Sequence, residues 1–265
     1  MSEKVTANNL EISYRLTGPE DAEVVMFSNS LMSNYTMWDD QIEALTRKYR
    51  VLLYDQRGHG GTATTPGPYT IRQLAEDAAA LIETLGVGPV HFVGISMGGF
   101  TGQMLAVLSP QNLRSLSLCD TACALGPKSV WDDRIEAART KGIEALADAT
   151  LERWFTPAFH ESDKEQLQRV RDIILGTGVD GFVGCGEAIR EMDICGNLPD
   201  ISVPTMVLVG RHDPGCTVAA AEVLHRGIAG SELVIIEDAA HLPNIEQADR
   251  FNAALLEFLE KQGGA

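Results

Sequence analysis

The sequence predicts an α/β fold in which a mostly parallel central sheet is flanked by helices and carries one inserted helical segment. Three observations predict it. Short β-rich runs alternate with helical patterns, as in a sheet built from βαβ units. Val90–Ile95 is an apolar run broken only by His91, the mark of a strand buried on both faces of a parallel sheet. The alternation then stops between Pro127 and Pro199, where the pattern is helical and no strand is recognisable until Thr205. More than 70 residues is too long for a simple crossover.

Taken in order, Leu10–Leu16 and Val24–Ser28 read as the first two strands. Tyr35–Tyr49 reads as a helix, and Val51–Tyr54 as the next strand. Ile71–Leu85 repeats apolar residues at helical spacing and stops at Gly86, a C-cap residue. After Val90–Ile95 comes a helix from Met97 to Leu108, ended by Pro110. Leu113–Leu118, Thr205–Val209 and Leu233–Ile236 complete the strands, and Asn244–Glu260 forms a terminal helix. The division expected is a core of residues 1–126 and 200–265 with a helical cap at 127–199. The closing Gly-Gly-Ala is expected to fray.

Composition excludes several classes. With 21 Lys+Arg against 37 Asp+Glu the formal charge is −16, which argues against nucleic-acid binding, since that needs a basic footprint. No apolar run approaches the ~18 residues of a membrane span. The N-terminal thirty residues carry Glu3, Lys4, Glu11 and Arg15 without an apolar core, so no signal peptide is expected. Five scattered cysteines without C-x-x-C spacing suit a reduced cytoplasm better than a disulfide framework or a zinc site.

The chemistry centres on Gly94-Ile95-Ser96-Met97-Gly98, a G-x-S-x-G placed between a buried strand and a helix. A serine held above the sheet edge needs a tight turn, and glycines two positions before and after it remove the side chains that would collide. The hydroxyl also needs a base. His241 suits, lying in Asp238-Ala239-Ala240-His241-Leu242-Pro243 just past the last strand. His59 sits in a glycine-rich turn and reads as structural. His91 lies on a strand, His160 and His225 read as helix residues, and His212 is expected to support the loop of the acid beside it.

That acid is Asp213, which follows Thr205–Val209 and precedes His241 by 28 residues. Asp120, after another strand end, is the alternative. The oxyanion donors expected are the backbone N–H groups of Met97 and, from the loop after Val24–Ser28, of Leu31. Asp55–Gly61 is glycine-rich but lacks the Lys-Ser/Thr of a phosphate loop. It reads as a turn in which Asp55 and Arg57 form a local hydrogen-bond network. The glycines at 176–186 follow no strand and are no dinucleotide site. Trp131, Trp154 and Phe155 read first as apolar filling of the cap, with Trp131 and Trp154 also candidates for substrate contact.

With these residues in hand, the chain resembles the α/β-hydrolases over essentially its whole length, and within them the 3-oxoadipate enol-lactonases of aromatic degradation. The more selective likenesses are Ser28-Asn29-Ser30-Leu31, where Asn29-Ser30 replaces a more common His-Gly, and Met37-Trp38-Asp39. Leu74–Leu85, Gly94–Gly99, Trp131–Ala137 and Ala145–Pro157 also match. The likeness weakens after Phe159 and across Ile173–Cys195, and Cys216 stands where those lactonases more often carry another residue. The chain ends at Ala265, so no fused decarboxylase domain is expected.

The resemblance implies Ser96, Asp213 and His241 as a triad, no metal or organic cofactor, and a small-molecule lactone or ester as partner. Rivals are a general carboxylesterase, another lactonase, a carbon–carbon bond hydrolase, a cofactor-free haloperoxidase and a hydrolase-like ligand receptor. An aspartate-nucleophile dehalogenase or epoxide hydrolase is disfavoured by Ser96. An enol-lactone with a free carboxylate approaches a protein of charge −16, so it needs a local cation. The cap counts nine Lys+Arg against fourteen Asp+Glu, which points to a single arginine rather than a basic surface. Arg134, three residues beyond Trp131 on the same helix face, is the candidate.

Overall fold

The computed structural model describes residues 2–263, so the expectation for the Gly-Gly-Ala end falls largely outside the described residues. Eight strands form one sheet: β1 (Glu3–Ala7), β2 (Leu10–Thr17), β3 (Val24–Ser28), β4 (Arg50–Tyr54), β5 (Val90–Ile95), β6 (Leu113–Cys119), β7 (Thr205–Gly210) and β8 (Glu232–Ile236). Their order is β1-β2-β4-β3-β5-β6-β7-β8. The pairs from β4 to β8 are parallel, while β1 and β2 make an antiparallel edge. The first strand, β1, was not expected. It pairs with β2 through a turn in which Asn8 and Asn9 both have positive φ, the arrangement a two-residue hairpin requires.

Val90–Ile95 is buried at every position, as expected, and so is β3. Val25 and Phe27 of β3, with Val93 and Ile95 of β5, enter one apolar cluster. Their neighbours Val24, Met26, Val90 and Phe92 enter the other. The second cluster is closed by α2 (Ile71–Leu85), by the C-terminal half of α3 (Met97–Leu108) and by α9 (Val218–Gly227). The first is closed by α1 (Asp39–Leu45) and α11 (Ala248–Gln262), and it continues into the inserted helices. As expected, α2 stops at Gly86, which is left-handed at φ 63°.

Two helix expectations are corrected. Tyr35–Tyr49 is not one helix but a 3₁₀ turn (Tyr35–Trp38) followed by α1, which ends at Leu45. Asn34 caps the turn by accepting the Thr36 N–H, and Asp55 binds the Tyr35 N–H. The terminal segment is likewise split, into α10 (Pro243–Glu246) and α11, because Gln247 leaves helical backbone at φ −132°, ψ 51°.

Between β6 and β7 lie α4 (Lys128–Lys141), α5 (Glu144–Trp154), α6 (Pro157–Ser162), α7 (Lys164–Leu175) and α8 (Val179–Arg190). The expectation of unpaired cysteines is overturned at the base of this insertion. Cys123 and Cys195 form a disulfide, with Cα atoms 4.8 Å apart across 72 residues of sequence. Such a long-range pair leaves no local spacing to read. Beside it Ile194 N–H donates to the Cys123 carbonyl at 2.9 Å. Cys119, Cys185 and Cys216 are free and buried.

Candidate active site

Ser96 sits between β5 and α3 with φ 54° and ψ −113°, backbone that L-residues rarely adopt. The turn closes because a Cβ on Gly94 would lie 2.2 Å from the Gly98 carbonyl oxygen, and one on Gly98 would lie 2.1 Å from that of Ser28. Ser96 is partly exposed and faces a cavity of about 580 Å³, part of it open to solvent.

The candidate acid and base come from the ends of β7 and β8. A Cβ on Gly210 would meet the Ala240 carbonyl oxygen at 2.0 Å, so glycine there lets the loop after β7 press against the loop after β8. Backbone bonds from Arg211 to Ile236 and from His212 to Ala239, each 2.9 Å, fasten the two loops together. Asp213 thereby meets His241, whose Nδ1 lies 2.6 Å from Asp213 Oδ2. The other oxygen, Oδ1, accepts the N–H groups of Gly215 (2.8 Å) and Cys216 (3.0 Å). Burial by itself would raise the Asp213 carboxyl, but the His241 ring and these two donors outweigh it and hold it below the usual carboxylate range.

Asp120 stands behind this pair. It accepts the Gly210 N–H at 2.8 Å, while burial and then the Asp213 charge push its own carboxyl well above the usual range. Among the described residues Asp213, not Asp120, is the carboxylate bonded to His241.

Ser96, Asp213 and His241 line the cavity together with Leu31, Trp131, Arg134 and Trp154. The Met97 N–H opens α3, where a helix leaves its first-turn donors without intrahelical acceptors. The Leu31 loop is anchored from below. Gln56 Nε2 donates to the Asn29 carbonyl at 2.6 Å, and Met32, at φ 62°, donates its N–H to His59 Nε2 at 3.2 Å. His59 is buried and faces the Arg57 carbonyl through Nδ1. Burial lowers its pKa to about 4, against the smaller pull of that carbonyl, so the ring stays neutral and accepts. The network expected of Asp55 and Arg57 is in fact two separate sets: Asp55 binds the Tyr35 and Gly61 N–H groups, while Arg57 reaches out of the turn to grip buried Asp77 through two 2.7 Å bonds. His212 supports the loop of the acid as expected, through its backbone N–H to Ala239, and the residue itself is exposed.

Trp131 and Trp154 fill the apolar cluster as read from the sequence and also face the cavity. Trp154 also stacks on His241, with ring centroids 6.3 Å apart and planes 28° from parallel. Arg134 lies over Trp131, its guanidinium carbon 4.7 Å from the ring centroid, with Nη2 3.7 Å from Met32 Sδ. Its Nε is buried without an acceptor. Burial, and then the like charge of Arg153, draw its pKa below the ordinary arginine range. Among the described residues no carboxylate lies within 4 Å of either arginine.

Sequence reasoning missed Arg153 and Glu246. Arg153 lines the cavity beside Trp154, but its neighbour Glu152 makes that stretch of α5 look like an ordinary charged surface. Glu246 binds Thr156 of the insertion and the Ala240 N–H of the His241 loop. Its only trace in the sequence is its position five residues after His241.

The profile of the Alpha/beta hydrolase family matches residues 27–254. The chain is 38% identical to 3-oxoadipate enol-lactonase 2 of Acinetobacter baylyi over 251 residues, covering 95% of this chain and 94% of that one. It is 32% identical to 3-oxoadipate enol-lactonase 1 of the same organism, covering 91% and 90%. The crystal structure of the enol-lactonase from Burkholderia xenovorans LB400 superposes with a TM-score of 0.95 at 40% identity, covering 97% of this chain and all of that one.

Proposed function

The chain belongs to the alpha/beta hydrolase family, and within it we propose a serine hydrolase that opens an enol-lactone, 3-oxoadipate enol-lactone to 3-oxoadipate, in aromatic degradation. The observation that carries this reading is the Asp213 Oδ2–His241 Nδ1 bond of 2.6 Å in one cavity with Ser96. In this reading residues 1–126 and 200–265 are the hydrolase core and 127–199 are a cap.

His241 takes the Ser96 hydroxyl proton through Nε2, while Asp213 accepts from Nδ1–H and balances the imidazolium. Ser96 Oγ attacks the lactone carbonyl carbon. The oxyanion receives hydrogen bonds from the Leu31 and Met97 N–H groups. Collapse of the tetrahedral intermediate breaks the ring C–O bond, and His241 returns its proton to the departing enol oxygen. The enol stays tethered to the acyl group. Water, activated by His241, then releases the acid and restores Ser96, and the freed enol ketonises. Re-closure competes with water until that step, which gives the cap a use in holding the enol away from the ester.

Arg134 suits the free carboxylate of such a lactone. It is a cation without an acid partner in the wall of a cavity, within a protein of charge −16. Arg153 adds a second positive charge to that wall.

The test is hydrolysis of 3-oxoadipate enol-lactone, followed by loss of ultraviolet absorbance, in wild type and Ser96→Ala, beside a p-nitrophenyl acetate assay. A kcat/KM of about 10⁵ M⁻¹s⁻¹ or more for the lactone, collapsing in the variant, is the expected result. Turnover of the acetate alone would leave a serine esterase and overturn the lactonase assignment.

A further inference from the structure

Cys216 takes no part in the reaction described, yet it lines the reaction cavity, and its thiol sulfur lies close to the acid and the base. One ligand atom each from Asp213, Cys216 and His241 lies within 4.8 Å of the other two, and all three residues are buried. We propose that Asp213, Cys216 and His241 form a site for one thiophilic divalent cation of the zinc or cadmium kind, and that loading it silences the enzyme.

The donor set is one sulfur, one imidazole nitrogen and one carboxylate oxygen, a combination that selects zinc and its softer relatives over magnesium or calcium. Tetrahedral zinc holds its ligand atoms about 3.3–3.6 Å apart, given bond lengths of about 2.0–2.3 Å. The 2.6 Å contact between Asp213 Oδ2 and His241 Nδ1 therefore opens by under about 1 Å, and the Cys216 sulfur swings in to meet the ion. Outer contacts already hold the carboxylate, since Oδ1 keeps the Gly215 and Cys216 N–H groups. A divalent ion with one thiolate, one carboxylate and a neutral imidazole also makes an uncharged unit, which a buried position favours.

Inhibition follows from the ring tautomer. The ion shared with Asp213 Oδ2 must bind His241 through Nδ1, because that nitrogen faces the carboxylate. The Nδ1 proton is displaced, and the neutral ring carries its one proton on Nε2. The thiol proton leaves to solvent as the metal–sulfur bond forms. Nε2 then has no lone pair with which to accept the Ser96 proton. The ion lies on the Asp213 side of the ring, so substrate still binds: kcat falls while KM holds. This loss of turnover rests on the triad reading, whereas the binding of the ion does not.

The experiment uses metal-free wild type, Cys216→Ala and Cys216→Ser. Cobalt(II) is titrated while the near-ultraviolet thiolate-to-cobalt charge-transfer band is followed, and zinc is titrated against p-nitrophenyl acetate turnover, each protein scaled to its own metal-free rate. Wild type should show the band, saturating at one cobalt per chain, and a zinc-dependent loss of kcat at constant KM that a chelator reverses. Both variants should lack the band and need about tenfold more zinc or greater for half-inhibition, as expected for a lost ligand. Absence of the band from wild type, or equal zinc sensitivity in all three proteins, would overturn the site. If the band appears but no substrate is turned over, the metal site stands and the hydrolase reading fails. Wild-type cobalt stoichiometry and chelator reversal decide the matter even if a variant does not fold.

Discussion

Glu246 ties Thr156 of the insertion to the loop that carries His241: Oε1 accepts the Thr156 N–H at 3.0 Å and Oε2 accepts the Ala240 N–H at 2.8 Å. Leu242 N–H reaches the Trp154 carbonyl at 3.2 Å from the same loop. One carboxylate therefore links the seat of the insertion to the loop of His241.

Glu246→Gln turns an acceptor into a donor against one of these N–H groups. It should cost about 1–3 kcal/mol and lower Tm by several degrees. Because His241 is displaced with the loop, kcat should fall about tenfold with KM nearly constant. A lower Tm with unchanged kcat at 25 °C would reduce Glu246 to scaffolding.

Asp213→Asn removes the acceptor that fixes the His241 tautomer, and kcat should fall by about 10³–10⁴. Asp120→Asn should cost only a few-fold. Burial, aided by the Asp213 charge, already pushes the Asp120 carboxyl well above the usual range and so towards its neutral form, and an amide oxygen still accepts from Gly210. Steady-state kinetics on the two variants check this. A larger loss at Asp120 would make it the working acid.

Arg134→Ala should raise KM for an anionic lactone about tenfold or more, the worth of a charge-assisted bond, and barely touch a neutral ester. Paired assays on both substrates decide it, and equal effects would assign Arg134 to packing on Trp131.

His59 links acidity to stability. Its folded pKa is lowered from 6.5 to about 4, chiefly by burial, so the unfolded chain binds more protons between those values. The stability it contributes is present above pH 6.5 and is lost as pH falls towards 4, by up to about 3 kcal/mol. Asp55 works in the opposite sense, because burial raises it from 3.8 to about 6 and the folded state holds its proton over that span. Comparing Tm at pH 7 and 4.5 in wild type and His59→Gln isolates the histidine, since Asp55 is common to both. The variant should lose less on acidification, and equal losses would show that His59 is not the group responsible.

Strand and helix placement was legible where one periodicity dominates. Val90–Ile95 is apolar at every position but His91, and the apolar spacing of Ile71–Leu85 admits only a helix. Ser96, Asp213 and His241 were legible because each follows a strand end in a fixed chain order. The unread parts depend on contacts distant in sequence. The split at Gln247 and the pairing of Cys123 with Cys195 have no local pattern, and Glu246 has a meaning only once Thr156 lies against it. The hairpin through Asn8-Asn9 is the exception: that dipeptide is a turn signal, and β1 was there to be read.

The disulfide also changes how force would travel through the molecule. The chain leaves β6 and, 72 residues beyond Cys123, returns to the same spot, where Cys195 is covalently joined to it. Tension applied along the backbone would pass from β6 towards β7 across the two sulfur atoms, and α4 to α8 would hang outside the load path. The two ends of the insertion are thereby joined covalently at its base. Arg134 of α4, and Arg153 and Trp154 of α5, all lie within that one covalently closed loop, in the wall of the cavity that holds Ser96.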